Sequence, residues 1–209
     1  MALLHILKTQ NAIANASMNS NSTHQSVPKP DPSRPLRRIV LTGFMGSGKS
    51  TVGPLVAQHL GWGFVDVDDV IEGEAGATIA ELFTRHGEAQ FRDREHATIA
   101  RLAAADALVL ALGGGAIELA ETRDLLLSGP GTLLVHLEVE LATTLARCAG
   151  TEHIRPILAS PEEAQARFLQ RQPHFRRLAR HTLSTADLTA TESTQTILQL
   201  LSKESTYQR

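Results

Sequence analysis

The sequence predicts an α/β protein of the three-layer α/β/α type, in which helices cover both faces of a parallel sheet. Two observations support this class. Short, wholly apolar runs recur from residue 38 onward, and segments of helix length separate them. Strands buried on both faces read as continuous apolar runs, and helical crossovers join parallel strands. We therefore predict strands that include residues 39–41, 64–65, 108–110 and 133–135.

Two helices are predicted between the second and third strands. Thr78 and Glu81 have the spacing of a capping box, in which each side chain bonds the backbone of the other residue, so a helix should start there and run toward His86. Residues 88–105 place apolar side chains at helical spacing and predict a second helix.

Length, composition and charge indicate one globular domain. The chain has 209 residues, of which 42% are hydrophobic and 20% charged. Its 20 basic and 22 acidic residues give a net charge of −2, which argues against a general attraction to nucleic acid or to an anionic membrane. The longest apolar stretch, residues 107–117, is too short to span a bilayer. The single cysteine, Cys148, excludes an internal disulfide and fits a reducing compartment.

The first 36 residues differ from the rest of the chain, because they are rich in Asn, Ser, Thr and Pro and lack hydrophobic periodicity. Such a segment cannot bury enough apolar surface to offset the entropy of ordering it. We therefore expect a disordered arm over residues 1–36 and a single domain over residues 37–209. A targeting peptide and initiation at Met18 are the alternatives for this arm.

The strongest chemical signal follows the first strand, where residues 43–51 read Gly-Phe-Met-Gly-Ser-Gly-Lys-Ser-Thr. This is the phosphate-loop pattern in its required context, between a buried strand and an amphipathic segment. Glycines let backbone N–H groups turn toward a polyphosphate, and the start of the next helix adds its positive end. Lys49 can bridge the terminal phosphates, and the hydroxyl of Ser50 can ligate Mg²⁺. A plain glycine turn would not explain Lys-Ser-Thr directly behind the glycines.

Two common classes of nucleotide-binding protein are excluded in their usual forms. A GTPase switch needs an Asn-Lys-x-Asp motif, and a protein kinase needs a catalytic-loop asparagine for its second metal ion. No asparagine follows Asn21.

Two further strand ends carry residues suited to a ligand site. Asp66 and Asp68 close the second strand, and strand alternation would put them on the same side, whereas Asp69 better suits a helix cap. Three glycines, residues 113–115, follow the third strand and permit close backbone approach to a ligand, although a flexible turn is the alternative. Because ligands gather at the carboxyl ends of parallel strands, both segments should lie near the phosphate loop.

Arginines form a third group of candidates. Arg92 and Glu95 lie one helical turn apart and can pair. Arg155 and Arg171 belong to two basic segments that enclose residues 159–170, a stretch that could be a mobile cover. Arginine matches phosphate and carboxylate with a bidentate fork, although a solvated basic face is the alternative for both segments.

Taken in order, these segments resemble the shikimate kinase family, a group of small-metabolite kinases. The resemblance covers about residues 38–201. Its motifs are the phosphate loop, Phe-Val-Asp-Val-Asp at 64–68, the stretch 71–92, Leu-Gly-Gly-Gly-Ala at 112–116, Arg-Pro-Ile-Leu at 155–158 and Arg-Gln-Pro-His-Phe at 171–175. It implies the phosphate-loop kinase fold, with a mobile lid over approximately residues 150–175.

The resemblance also implies roles for individual residues. The ATP phosphates would be held by Gly46, Ser47, Gly48, Lys49, Ser50 and Thr51. Mg²⁺ would be ligated by Ser50 and supported by Asp66, and Arg155 in the lid would reach over the phosphates. Asp68 would contact the ring hydroxyls of shikimate and act as the base.

The remaining implied contacts concern shikimate and adenine. The shikimate carboxylate would be clamped by Arg92 and Arg171, with Glu95 orienting Arg92. The ring would meet the backbone of the glycine segment Gly113, Gly114 and Gly115, and the apolar side chains of Phe83 and Phe91. Arg147 is the candidate adenine contact. His174 and Phe175 depart from the Leu-Tyr usual in the family, which leaves the packing of the lid open.

The function implied is transfer of the γ-phosphate of ATP to the 3-hydroxyl of shikimate, in the biosynthesis of chorismate and the aromatic amino acids. The resemblance implies a cytoplasmic monomer that uses Mg²⁺, ATP and shikimate and has no nucleic-acid or membrane partner. The alternatives are a related kinase acting on another polyol or cyclitol acid, and a non-catalytic nucleotide-binding module.

Overall fold

The computed structural model describes residues 36–150 and 160–206. Within them, one sheet has the strand order β2-β3-β1-β4-β5, and every neighbouring pair is parallel. The strands are β1 (Arg38–Thr42), β2 (Gly63–Asp66), β3 (Leu108–Ala111), β4 (Thr132–Glu138) and β5 (His181–Ser184). The predicted parallel sheet is confirmed.

Helices cover both faces of this sheet. They are α1 (Lys49–Leu60), α2 (Val67–Ala75), α3 (Ile79–Leu102), α4 (Ala120–Ser128), α5 (Leu141–Cys148), α6 (Pro161–Leu178) and α7 (Ala190–Thr206), with a short 3₁₀ helix at Ala116–Glu118. Alternate residues of the central strand β1 point into two cores. Val40 packs with residues of α2, α3, α4 and α6, whereas Ile39 and Leu41 pack with residues of α1 and α7. This is the predicted three-layer arrangement.

The two edge strands explain where the strand prediction was weakest. The predicted strand at Phe64 and Val65 exists, but it lies at the sheet edge and both side chains are only partly buried, so the expectation of burial on both faces was wrong for β2. β5 was not predicted. It forms the opposite edge, and only Leu183 of its four residues is buried, so it carries no apolar run.

The two predicted helices between β2 and β3 are joined end to end in α3. The capping box is confirmed, since Glu81 donates its backbone N–H to the Thr78 hydroxyl and accepts the Thr78 N–H through its carboxylate. Gly87 interrupts the helix with φ 78° and ψ 167°, a conformation that favours glycine. The second segment ends at Leu102, three residues before the predicted end.

Two predicted segments lie wholly or partly outside the described residues. Residues 1–35 of the predicted arm lie outside them, and Leu36 packs against the core on the α1 and α7 side. Residues 151–159 of the predicted lid, Arg155 among them, also lie outside, and most of its remainder is helix α6. None of the helices within the described residues is long and apolar enough to cross a membrane.

Candidate active site

The candidate site is a cavity of about 430 Å³ at the carboxyl edge of the sheet. Its walls come from the loop after β1, the ends of β2 and β3, and the loop that joins β5 to α7. Residues that line it include Gly46, Ser47, Gly48, Lys49, Ser50, Thr51, Asp66, Asp68, Gly113, Gly114, Arg147, Thr185 and Leu188. Most of the candidates for phosphate and metal binding therefore meet in one place, as predicted.

The phosphate loop is shaped by glycine. Gly48 immediately precedes helix α1 with φ 96°, which a side chain rarely permits. A Cβ on Gly43 would collide with the carbonyl oxygen of Leu137. The N-cap residue of α1 is Gly48, which makes no side-chain cap hydrogen bond, and the positive end of a helix favours an anion. The loop therefore has the glycine-shaped backbone that a phosphate-binding turn requires.

Lys49 lies folded over this loop. Its Nζ donates to the carbonyl oxygens of Gly43 at 2.9 Å and Phe44 at 3.0 Å, and contacts the hydroxyl of Ser47 at 3.4 Å. The side chain is 9% exposed, so its ammonium group is held by the loop and placed at the cavity wall.

Asp66 connects the loop to the second strand. Its Oδ2 accepts the hydroxyl hydrogen of Ser50 at 2.6 Å, and its Oδ1 accepts the backbone N–H of Asp68 at 3.1 Å. Asp66 ends β2 and is the N-cap of α2, whereas Asp68 lies in the first turn of that helix. The strand-alternation argument for this pair was therefore wrong, and so was the choice of Asp69 as the cap. Both carboxylates nevertheless line the cavity.

Asp68 and Glu95 converge on Gly113. A Cβ on this glycine would lie 2.6 Å from Asp68 Oδ1 and 2.7 Å from Glu95 Oε1, so only glycine leaves room for both carboxylates. Burial, reinforced by the charge of Asp66, raises the pKa of Asp68 to about 6 against the opposing charges of Lys49 and Arg92. Burial also raises the pKa of Glu95 to about 7, although its pairing with Arg92 opposes this. Asp68 can thus exchange a proton near neutral pH.

Arg92 is held between carboxylates and aromatic rings. Its guanidinium donates to Glu95 at 2.6 Å, as the helical spacing predicted, and to Glu88 at 3.2 Å. It lies 5.7 Å from the ring centroid of Phe83 and 5.3 Å from that of Phe91, and the two rings pack with centroids 4.6 Å apart. These contacts fix the guanidinium beside the glycine segment, where a Cβ on Gly115 would collide with it.

Arg171 reaches the same region from α6. It is only 2% exposed, its guanidinium lies 5.6 Å from the ring centroid of Phe44, and its Nη1 is 3.7 Å from the position of a Cβ on Gly114. Its Nε donates to Glu118 at 2.8 Å. Sequence reasoning missed Glu118, an isolated acidic residue whose only signal is its position three residues after the glycine segment.

Arg147 also lines the cavity. Its guanidinium donates to the carbonyl oxygen of Gly46 at 3.2 Å and to those of Thr185 at 2.6 Å and Ala186 at 3.0 Å. These bonds join the phosphate loop to the loop before α7. If the phosphates of a nucleotide lie on the phosphate loop, its base could extend to this point.

His174 and Phe175, which stand where the resemblance leads one to expect Leu-Tyr, lie in α6. Phe175 is fully buried and its ring stacks on the ring of His136, with centroids 4.8 Å apart. His174 is partly buried, and its pKa is lowered, first by that burial and then by the charge of Arg123. Phe175 therefore anchors α6 to the sheet.

The chemistry available at this site has two halves. The loop, the helix start and Lys49 can bind a polyphosphate. Asp68 can accept a proton. Arg92 and Arg171 are not among the residues that line the cavity, but their guanidinium groups lie against the glycine segment and aromatic rings, and a guanidinium group suits an acid. Among the described residues, no cluster of three or more His, Cys, Asp or Glu side chains could hold a metal ion unaided.

Comparisons with known proteins agree on one family. Residues 45–202 match the family model described as shikimate kinase. A shikimate kinase of Moorella thermoacetica is 42% identical over 139 residues, which span 66% of this chain and 79% of that protein. One of Salinispora tropica is 45% identical over 148 residues, spanning 70% and 86%. The solved structure of the Acinetobacter baumannii shikimate kinase in complex with shikimate matches with a TM-score of 0.76 and 37% identity, covering 80% of this chain and 94% of that one.

Proposed function

The chain belongs to the shikimate kinase family, and from this premise we propose that it transfers the γ-phosphate of ATP to the 3-hydroxyl of shikimate. The product would serve the biosynthesis of chorismate and the aromatic amino acids. The observation that carries the proposal is the convergence of Asp68, whose pKa is raised to about 6, with the phosphate loop at the cavity and with Arg92 and Arg171 at the adjoining glycine segment.

ATP would bind with its phosphates along the loop after β1. The backbone from Gly46 to Thr51 and the positive end of α1 would receive the β- and γ-phosphates. Lys49 would leave its loop carbonyls and bridge the terminal phosphates. The base would extend toward Arg147, whose bonds to both flanking loops support that side of the cavity.

The residues present fit a magnesium ion. Ser50 and Asp66 place a hydroxyl and a carboxylate oxygen 2.6 Å apart at the cavity wall, and Mg²⁺ prefers such oxygen ligands together with water and substrate phosphates. These two residues would hold the ion, Asp66 through water. When bound, Mg²⁺ neutralises phosphate charge during the transfer.

Shikimate would bind with its carboxylate toward Arg92 and Arg171 and its ring against Phe83 and Phe91. The backbone beside Gly114 would contact a ring hydroxyl. This orientation would direct a hydroxyl to Asp68, which would accept its proton as the oxygen attacks the γ-phosphate. The inferred role of Arg155, to neutralise the transferring phosphate, stays a prediction because this residue lies outside the described residues.

The experiment that tests this function is ADP release measured with and without shikimate in the presence of Mg²⁺. We expect ADP release to depend on shikimate and to match the shikimate 3-phosphate formed. ADP release unaffected by shikimate, or no turnover at all, would favour a nucleotide-binding module. Turnover with another cyclitol acid alone would favour a related kinase.

Quinate provides a sharper comparison, because it keeps the carboxylate but adds a hydroxyl at the carbon that bears it. If the aromatic rings face that carbon, the extra hydroxyl would be buried without a partner, at a cost of about 1 to 3 kcal/mol. We expect kcat/KM for shikimate to exceed that for quinate by at least about tenfold. Equal values would contradict the proposed specificity.

A further inference from the structure

Glu118 lies at the meeting point of three arginines from two helices. Its Oε1 accepts from Arg171 Nε at 2.8 Å and from Arg167 Nη1 at 3.3 Å, and its Oε2 lies 3.6 Å from Arg92 Nη2. Arg92 belongs to α3, whereas Arg167 and Arg171 belong to α6. The Glu118 side chain is 14% exposed, so water screens these pairs less than it screens pairs at the surface.

The backbone of Glu118 is itself held in place. Its N–H donates to the carbonyl oxygen of Gly115 at 2.9 Å, which closes the 3₁₀ helix. Arg123 of α4 donates through Nη1 to the carbonyl oxygens of Ile117 and Glu118, both at 2.8 Å. The carboxylate of Glu118 is therefore presented from a fixed main chain directly behind the glycine segment.

The hydrogen bond that Arg171 donates to Glu118 uses only Nε, on one edge of the guanidinium group. Among the residues that the structure describes, Nε of Arg171 has a hydrogen-bond partner and its terminal nitrogens have none. The terminal nitrogens form the end of the fork, which can bind a carboxylate through two parallel hydrogen bonds. Nη1 lies 3.7 Å from the position of a Cβ on Gly114, so this free edge faces the glycine segment.

We propose that Glu118 is a positioning residue for the substrate carboxylate, an inference that rests on the proposed function. It locks the rotation of Arg171 through Nε and draws Arg92 to the same point, so that their guanidinium groups are ordered before the substrate arrives. Ordering two long side chains in advance removes an entropic cost from binding. The opposite role, in which Glu118 competes with the substrate carboxylate, would require it to take terminal nitrogens of the arginines. At Arg171 it bonds only Nε, and at Arg92 its Oε2 stays 3.6 Å from the terminal nitrogen Nη2, beyond hydrogen-bond distance.

The test uses Glu118→Ala and the isosteric Glu118→Gln in the full chain, with KM and Kd measured for shikimate and for ATP. We expect Glu118→Ala to raise the shikimate values by about tenfold, the effect of losing one charge-assisted hydrogen bond that orients a ligand contact. Glu118→Gln should rescue part of this loss, because its amide oxygen can still accept from Arg171 Nε. The ATP values should change by less than about twofold.

A double-mutant cycle with Arg171→Ala identifies the route of the effect. Because Glu118 acts chiefly through Arg171 and also contacts Arg92, Glu118→Ala should raise the shikimate KM by clearly less than tenfold when Arg171 is already alanine. Full additivity of the two substitutions would overturn the inference, as would a lower shikimate KM in Glu118→Ala or an equal rise for ATP. Thermal unfolding and far-UV circular dichroism would verify that each variant is folded.

Glu138→Gln is the matched control. Glu138 of β4 also pairs with an arginine of α6, Arg176, at 3.0 Å, but this pair is more exposed than the pair of Glu118 and Arg171, and neither residue is among those that line the cavity. The Glu138→Gln variant should leave the shikimate KM unchanged. A rise as large as that in Glu118→Ala would overturn the inference, because it would mean that any loss of attachment of α6 weakens shikimate binding. Absence of shikimate turnover in the wild-type chain would overturn the proposed function. Normal wild-type turnover together with an unchanged shikimate KM in Glu118→Ala would overturn this inference alone.

Discussion

Ser50 donates its hydroxyl hydrogen to Oδ2 of Asp66 across 2.6 Å and thereby joins the first turn of α1 to the end of β2. The other oxygen of Asp66 accepts the backbone N–H of Asp68 and caps α2. One carboxylate thus helps to build the proposed metal site and also fixes the start of the helix that carries the proposed base. These two roles can be separated by substitution.

Asp66→Asn should weaken magnesium binding while preserving the fold. Asparagine can still cap α2 through its side-chain oxygen, but it lacks the negative charge that favours a divalent cation. We expect the Mg²⁺ concentration for half-maximal activity to rise by about tenfold, the scale of the loss on altering an outer contact of a metal site. The measurement is a MgCl₂ titration at constant ATP. Asp69→Asn, a substitution at an exposed neighbour, is the control, and an equal shift in both variants would refute the assignment.

Lys49→Ala should lower kcat by about a hundredfold or more, which is the scale for loss of one preorganised electrostatic contact in phosphoryl or acyl transfer. Lys49 is buried against the loop carbonyls and lies where the terminal phosphates are proposed to bind. Steady-state ADP release measures the effect. Lys203→Ala, at an exposed position of α7, should leave kcat unchanged. Near-normal turnover of the Lys49 variant would remove the basis for the kinase assignment.

The extent to which sequence predicted the fold depended on burial. β1 and β3 are buried along their whole length, so the apolar runs from which they were predicted reflect a real physical constraint. β5 pairs with β4 through its backbone and buries only Leu183, so its stability comes from hydrogen bonds that any residue type can make. Such an edge strand leaves almost no pattern in the side chains.

The site was predictable where spacing along the chain determines geometry. The phosphate loop and the pair Arg92–Glu95 depend on neighbours in sequence, and the structure places them as expected. The link from Glu118 to Arg171 spans 53 positions and depends on how α6 docks over the 3₁₀ helix. No local pattern encodes that contact, so it could be found only after the chain was folded.

Arg171→Ala should separate the two substrates. It removes a carboxylate contact but no proposed ATP contact. Shikimate binding should therefore weaken by about 1.5 to 3 kcal/mol, the range for hydrogen bonds to charged groups. ATP binding should hardly change. Calorimetric titration of each ligand measures this, with Arg176→Ala at the exposed face of α6 as the control. Equal losses for both ligands would show that Arg171 is placed wrongly.

Gly113→Ala should impair catalysis far more than Gly114→Ala. A Cβ on Gly113 would lie within 2.7 Å of carboxylate oxygens of both Asp68 and Glu95, whereas a Cβ on Gly114 would meet nothing closer than 3.5 Å. Displacing the proposed base by about 1 Å is enough to cost about a hundredfold in rate. Measurement of kcat for the two alanine variants tests this directly. Equal rates would mean that the two carboxylates can move aside without consequence.

The pH dependence of activity should report the state of Asp68. Burial raises the pKa of Asp68 to about 6 and that of Glu95 to about 7, and both carboxylates lie against Gly113, so they are expected to titrate as a coupled pair. A base must be deprotonated, so kcat/KM for shikimate should be constant above this range and fall as the pH decreases through 7 to 6. A profile that stays level down to pH 5 would contradict the role of Asp68.

The contribution of Asp68 to stability should decrease as the pH rises, whereas activity should increase. Because the pKa of Asp68 is higher in the folded chain than its ordinary value, folding favours the protonated form, and the stabilisation from Asp68 is complete below about pH 4 and is lost as the pH rises through about 6. Asp68→Asn removes this titration. The free energy of unfolding of the variant minus that of the wild type should therefore increase from pH 5 to pH 8, while the activity of the variant is lost. Denaturant titrations at both pH values measure the difference. A constant difference between variant and wild type would show that Asp68 is not held at an energetic cost. If the difference grows as expected, the ionised carboxylate is less stable in its folded position than in water, which is the condition that makes it a stronger proton acceptor there.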